Sequence, residues 1–389
     1  MKILFLNYEY PPLGGGAANA TACILEEWAH EPGLEAHLVT SSTGSEHETI
    51  CVGGQVYVHR LPIGKNEGNL HHQSIKDLLL YSVKSWWYAR KLIREQSVPF
   101  DVTLAFFGVP CGFIALLLRL EFGLPFVVAL RGSDVPGYSQ KYAWLYPLLR
   151  PMIGYIWKRA KAVVPNSFGL AELARQSAPD QAFTIIENGV DIKRFFPAQH
   201  RTDEFIITPG ASRVTERKGL NYLIEAVALL APKYPTLRLK VMGDGSARPA
   251  LEALVKERGL EGKVVFLGRI PREETTPYYQ EASLFVLPSL NEGMSNAMLE
   301  ALATGLPIVA TPTGGTAELV IEGQNGMVVP ERSVPALAQA IEFFLGDSEQ
   351  VKAYGAESRR RAEAQGWNRV ANSFKKLLEN SIKSETTTT

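Results

Sequence analysis

Short apolar runs rich in Val, Ile, Leu and Phe alternate with longer stretches of helical period along most of the chain. That is the pattern of parallel β-α-β units whose strands are buried on both faces. Strands are predicted at residues 2–7, 36–40, 56–61, 102–105, 126–130, 162–164 and 184–186. A second series is predicted at 205–208, 237–242, 264–267, 284–287, 307–310 and 326–329. Helices fall between them, among others at 17–30, 220–230 and 334–345. Two successive series of similar size predict the α/β fold class with two doubly wound domains, joined near Asn188 to Arg201. There Asn188-Gly189 gives a turn and Pro197 to His200 a polar connector. The tail from Lys383 into the final Thr run reads as disordered.

Two Rossmann-like domains facing each other would place the carboxyl ends of both sheets around a central cleft, where open α/β sheets bind ligands. The chemistry is therefore expected on β-to-α loops. The first such loop, Tyr10 to Gly16, contains Gly14, Gly15 and Gly16 before a helix. Glycines allow close backbone approach, and the N–H groups of a helix start favour an anion such as diphosphate. It is not a complete dinucleotide fingerprint, because Asn19 stands where the third glycine belongs. In the second domain, Arg213 and Lys218 lie five apart across a loop entering a helix, a spacing that lets two cations converge on a phosphate pair.

The stretch from Pro288 to Thr311 is the most informative. A strand ends at Pro288, a polar loop carries Glu292 and Gly293, and a helix begins near Ser295 with Glu300 in its second turn. Glu292 would sit beside the helix start, where N–H groups of Gly293, Met294, Ser295 and Asn296 can hold phosphate or sugar hydroxyls. Glu300 would lie deeper, where a carboxylate can accept hydrogen bonds from a vicinal diol such as a ribose.

Composition excludes more than it assigns. With 46% hydrophobic residues and 40 Lys+Arg against 40 Asp+Glu over 389 residues, the chain is neither disordered nor charged like a duplex nucleic-acid binder. Cys23, Cys51 and Cys111 lie far apart, making no disulfide framework and no metal or redox pair, which reads as a reducing compartment. His71-His72 has no ligand companions, so no metal site and no cofactor are expected. Neither a signal-peptide core nor an apolar run of membrane-spanning length is found, and the expectation is a cytoplasmic protein.

Neutrality is an average over unlike regions. Residues 135–161 hold Lys141, Arg150, Lys158, Arg159 and Lys161 with no Asp or Glu, beside Tyr138, Tyr142, Trp144, Tyr146, Tyr155 and Trp157. Residues 76–94 hold Lys76, Lys84, Arg90, Lys91 and Arg94 against Asp77, with Tyr81, Trp86, Trp87 and Tyr88. Two readings are open: aromatics packing the first core with a solvated cationic rim, or a peripheral surface for anionic membrane.

These motifs together resemble the retaining glycosyltransferases of family 4, which have the GT-B fold. The resemblance rests on Glu292-x7-Glu300 within EGMSNAMLEALATGLPIVAT, on Arg213 and Lys218 within SRVTERKG, on Asn188-Gly189-Val190-Asp191, Gly243-Asp244-Gly245 and Phe266-Leu267-Gly268, and on the glycine-rich first loop. It implies transfer of a sugar from a UDP- or GDP-linked donor to a hydroxyl of a glycan or lipid-linked acceptor, without metal and with no nucleic-acid partner. It also implies a last helix that crosses back to the first domain. The domains become residues 1–196 plus 367–389 on the acceptor side and 197–366 on the donor side.

By position, Arg213 and Lys218 match the residues that bind the donor diphosphate, Glu292 the carboxylate near the donor sugar, and Glu300 the one that holds the ribose. Gly268 and Arg269 match the segment passing the base, and Gly15 and Gly16 the loop approaching the diphosphate. Arg131-Gly132-Ser133-Asp134 resembles the family's His-Gly-x-Asp loop with Arg in place of His, leaving Asp134 as the polar group toward sugar or acceptor. A turn-capping role for Asp134 is the alternative. A nucleotide-sugar 2-epimerase of the same architecture, or a catalytically silent partner subunit, are the rival functions.

Overall fold

A computed structural model describes residues 1–65, 70, 73–138, 144–199 and 204–386. Lys141, Tyr142, His71, His72, the connector at His200 and Arg201, and residues 387–389 lie outside them. The chain divides into two compact units, Met1–Asn188 with Trp367–Thr389, and Gly189–Gly366.

In the first unit the elements run β1 (Lys2–Leu6), α1 (Gly16–Trp28), β2 (Glu35–Ser42), β3 (Glu48–Val52), β4 (Val56–Pro62), α2 (Ile75–Glu95), β5 (Val102–Phe106), α3 (Phe113–Phe122), β6 (Phe126–Leu130), α4 (Tyr146–Arg159), β7 (Ala162–Pro165) and α5 (Phe168–Arg175). They build a sheet of order β3-β4-β2-β1-β5-β6-β7, parallel except for β3 against β4. β1, β5 and β6 are buried at every position, which is why they read as unbroken apolar runs.

The second unit runs β8 (Phe205–Thr208), β9 (Ala211–Arg213), α6 (Leu220–Leu230), β10 (Leu237–Asp244), α7 (Arg248–Glu257), β11 (Val264–Gly268), α8 (Thr276–Glu281), β12 (Leu284–Leu287), α9 (Asn296–Ala303), β13 (Ile308–Ala310), α10 (Thr316–Leu319), β14 (Gly326–Val328), α11 (Val334–Leu345) and α12 (Ser348–Glu363). Its parallel sheet has the order β11-β10-β8-β12-β13-β14, with β9 beside β10. The final helix, α13 (Trp367–Thr386), returns to the first unit. There Trp28 Nε1 donates to Ala371 O at 3.1 Å, and Phe374 closes the core against Phe106.

Four expectations need correction. Residues 184–186 form no strand: Thr184 N–H and Ile186 N–H each bond to the four-residue β7, too short an edge to extend the ladder. β3, an edge strand with exposed polar positions, and the three-residue β9 were not anticipated. α13 continues past Lys383 as a helix to Thr386. The units divide at Asn188/Gly189 rather than 196/197. Val190 N–H bonds Gln365 O at 2.9 Å, and Arg359 Nη1 reaches Phe195 O at 2.9 Å, tying this stretch into the second unit.

Candidate functional site

The loop between β12 and α9 is held from two sides. Leu290 N–H donates to Arg217 O at 2.8 Å, and Gly315 N–H donates to Gly293 O at 2.9 Å. Two glycines make the close approach possible: a Cβ at Gly219 would stand 2.0 Å from Pro288 O, and one at Gly314 would stand 2.2 Å from both Glu292 O and Gly293 O. Both also have positive φ, 62° and 51°. Ser295 caps α9 by accepting from Met298 N–H at 3.3 Å.

So clamped, the loop sets Glu292 Oε2 2.8 Å from Lys218 Nζ, the two side chains only 16% and 9% exposed. A charged pair so shielded is held against a desolvation cost, and a ligand phosphate can compete with Glu292 for the ammonium. Met294 is buried with its thioether against Gly315, Gly293 is buried, and Asn296 opens the helix.

Glu300, one turn deeper, is 5% exposed. Its Oε2 accepts from Tyr279 O–H at 2.9 Å and its Oε1 from Arg272 Nε at 3.1 Å. Each carboxylate oxygen retains a second lone pair for a diol hydroxyl. Arg272 and Tyr279 were not singled out in the sequence, where the sole hint is a polar run entering α8. Gly210, with φ of +76°, lies so close that a Cβ would meet Tyr279 Oη at 2.7 Å. Arg213 is exposed at the end of β9, opposite Asp244. Gly268 ends β11 with φ of +74°, and Arg269 after it is exposed.

The first unit holds the other predicted residues. Gly15 precedes α1 and donates its N–H to Glu9 Oε2 at 3.2 Å, and Gly16 is the exposed first residue of that helix. Asp134 is buried, with Oδ2 accepting from Gly108 N–H at 2.8 Å and Oδ1 from Arg131 N–H and Gly132 N–H, each at 3.0 Å. Burial raises its carboxyl above the usual range against the pull of these amides. As placed, it ties the loop after β6 to the loop after β5. The Arg131 guanidinium lies 3.7 Å from the Phe106 ring centroid, with Nη1 3.0 Å from Asn188 Oδ1. Burial lowers its pKa to about 9, with Asp134 opposing.

The aromatic windows contain both buried and exposed rings. Tyr81, Tyr146 and Trp157 are core, whereas Trp87, Trp144 and Tyr155 are exposed. Among the described residues, no cluster of three or more His, Cys, Asp or Glu is placed to hold a metal, and no helix is long and apolar enough to cross a membrane.

Comparison with known proteins agrees with this architecture. Residues 204–347 match the model of the glycosyl transferases group 1, and residues 15–189 match that of the glycosyl transferase 4-like domain. The putative colanic acid biosynthesis glycosyltransferase WcaL of Salmonella typhimurium is 30% identical over 300 residues, 72% of this chain and 70% of its own length. A GDP-mannose-dependent alpha-(1-6)-phosphatidylinositol monomannoside mannosyltransferase of Mycolicibacterium smegmatis is 28% identical over 70% of this chain and 74% of its own. Among solved structures, a sucrose-phosphate synthase from Thermosynechococcus elongatus superposes with a TM-score of 0.86 at 23% identity, covering 99% of this chain and 100% of that one. Anabaena HepE in complex with UDP-glucose gives 0.73 at 19% identity, covering 98% and 100%.

The fold is thus that of the GT-B enzymes, two Rossmann-like domains in one chain. The chain belongs to the group 1 glycosyltransferases, and it is a glycosyltransferase.

Proposed function

We propose that this chain transfers a sugar with retention of configuration from a UDP- or GDP-linked donor to an acceptor hydroxyl, in the synthesis of a cell-surface polysaccharide, lipopolysaccharide or glycolipid. The observation that carries this reading is the Lys218–Glu292 pair at the start of α9, with Glu300 buried in the same helix. Lys218 and Arg213 neutralise the departing diphosphate, which makes a metal unnecessary. The bond from the sugar's anomeric carbon to the β-phosphate oxygen breaks, the acceptor oxygen bonds that carbon on the same face, and the hydroxyl proton passes to the departing phosphate. Glu300 orients the ribose. Similarity to a putative colanic acid biosynthesis glycosyltransferase and to a GDP-mannose-dependent phosphatidylinositol monomannoside mannosyltransferase supports the acceptor class.

The test is a thermal-shift panel of nucleotide diphosphates, followed by NMR of the product's anomeric configuration with and without EDTA. Inversion, or loss of activity in EDTA, would overturn the corresponding part. Nucleotide diphosphate release only when an acceptor is added supports transfer, and conversion of the nucleotide sugar into its 2-epimer without an acceptor would point to the epimerase alternative.

The reading includes action at the cytoplasmic membrane surface. On α2 the residues Ile75, Leu79, Val83 and Trp87, four apart, are all exposed, and α4 exposes Leu148 and Tyr155 after the exposed Trp144. Lys76, Lys91, Arg150 and Lys158 are exposed on the same two helices. Apolar side chains beside cations fit an anionic lipid surface.

A further inference from the structure

Arg131 follows β6 at the carboxyl edge of the sheet, where ligands of α/β folds bind, yet its side chain turns inward. The guanidinium lies 3.7 Å from the centroid of the Phe106 ring and 5.7 Å from that of Phe374, both rings buried. Nη1 donates to Asn188 Oδ1 at 3.0 Å, while Nε and Nη2 are buried with no hydrogen-bond partner among the described residues. Burial lowers the pKa only to about 9, so the group is still a cation at neutral pH. Burying a charge with donors unmet works against stability.

What the guanidinium covers is the end of β5. Phe106 is the last residue of that strand, and Phe107 after it has φ of +72°, a conformation a bulky side chain adopts only under constraint. The constraint acts on both neighbours of Phe107. Phe106 lies under the Arg131 guanidinium, and Gly108 N–H donates to Asp134 Oδ2 at 2.8 Å. Asp134 Oδ1 in turn accepts from Arg131 N–H at 3.0 Å. A ring of contacts therefore runs from the Arg131 side chain through Phe106, Phe107, Gly108 and Asp134 back to the Arg131 backbone. The Phe107 ring, only 4% exposed, is stacked on Tyr8 just past the end of β1, with centroids 4.6 Å apart.

We propose that Arg131 is a positioning residue for sugar transfer: by covering Phe106 while its own N–H grips Asp134, it holds the Phe107 turn in its strained form and so shapes the acceptor-side loops of the first unit without touching a substrate. Assignment to the acceptor side rests on the function proposed above, in which Arg213 and Lys218 of the second unit serve the donor. The clamp on Phe107 does not depend on it.

The experiment is Arg131→Met in the full chain, which removes the charge and the planar face and leaves Asp134 its backbone donors. Amide exchange of the peptide containing Gly108, followed by mass spectrometry, is expected to speed up about tenfold or more, while the melting temperature stays level or rises because an ill-paired buried charge is gone. Unchanged exchange overturns the clamp. In transfer from GDP-mannose or UDP-glucose, whichever the wild type uses, kcat per folded molecule is expected to fall about tenfold or more, with the donor KM and the affinities for GDP and UDP within about twofold. Unchanged kcat overturns the positioning role, and a tenfold loss of nucleotide affinity overturns it too, by making Arg131 a donor contact. If Arg131→Met does not fold, Arg131→Lys carries the same readouts and the same expectations, since it keeps a charge without the flat face that covers Phe106. Absence of transfer by the wild type from either donor would count against the function proposed above and leave the exchange result to decide the clamp.

Discussion

Lys218 Nζ and Glu292 Oε2, 74 residues apart in sequence, meet at 2.8 Å with both side chains largely shielded from water. The pair joins the turn before α6 to the loop before α9, so removing one partner has two effects. Lys218→Ala is expected to cut transfer by about a hundredfold or more through lost leaving-group stabilisation. It leaves Glu292 without that partner, lowering stability by about 1–3 kcal/mol. Turnover and urea denaturation measured on one preparation separate the two, and near wild-type transfer would sink the assignment.

Gly314→Ala tests the clamp without touching a charged group. Its Cβ would need to occupy space 2.2 Å from two carbonyl oxygens at a positive φ. The expected outcome is a loss of about 2 kcal/mol or more, with transfer falling further than the remaining folded fraction explains. An unchanged melting temperature and rate would show the loop tolerates displacement.

Tyr279→Phe removes the hydroxyl that donates to Glu300 Oε2 while keeping the ring buried against Phe195. Glu300 then loses orientation, not charge. The donor KM is expected to rise about tenfold with kcat within a few-fold, the signature of weakened nucleotide binding. A fall in kcat alone would assign Glu300 elsewhere.

A chain of polar contacts in the first sheet makes stability depend on pH. His37 Nε2 donates to Glu35 Oε1 at 2.7 Å, His59 Nε2 meets His37 Nδ1 at 3.0 Å, and Tyr88 O–H lies 3.0 Å from His59 Nδ1. Burial, with the charges of His37 and His47 adding to it, holds His59 down to about 3 against an ordinary 6.5. Between those values the unfolded chain binds the extra proton. The stabilisation is therefore complete above about pH 6.5 and declines as pH falls, by about 2 kcal/mol at pH 5. Urea midpoints from pH 7 to 5 should fall in the wild type and fall less in His59→Gln. Equal slopes would remove the explanation.

For the membrane surface, Leu79→Ser with Trp87→Ser alters side chains that are 63% and 58% exposed, so the melting temperature should barely move. Co-sedimentation with phosphatidylglycerol vesicles at low salt is expected to drop about fivefold or more. Equal binding by variant and wild type, or none by either, discards the surface.

Much of this molecule is readable from residue order alone, for physical reasons that also mark where reading stops. Runs such as Phe126–Leu130 are apolar throughout because the strand is buried at every position, and their shortness separates them from helical runs such as Phe113–Leu118. β3 is half solvated, so Glu48 to Val52 mixes polar and apolar positions and resembles a loop. Lys218 is legible because it precedes Gly219, a glycine that close approach to Pro288 O requires, and Glu292 because it stands just before the start of α9. The partners of Glu300 are not, since Arg272 and Tyr279 reach it only once the segment around α8 packs on α9. Nor could order alone separate buried Trp157 from exposed Trp144, which differ in the side of the chain they occupy.

The return of α13 has a consequence for how the chain is made. Trp28, Phe106 and the face around them are finished by Ala371, Phe374 and Leu378, residues synthesised after the whole second unit. During translation the second unit can complete its core from contiguous residues, while the first, begun earlier, waits with an apolar side uncovered until α13 has been synthesised. Nonsense truncation before Trp367 should therefore yield an aggregating product, even though every residue of both sheets has been translated.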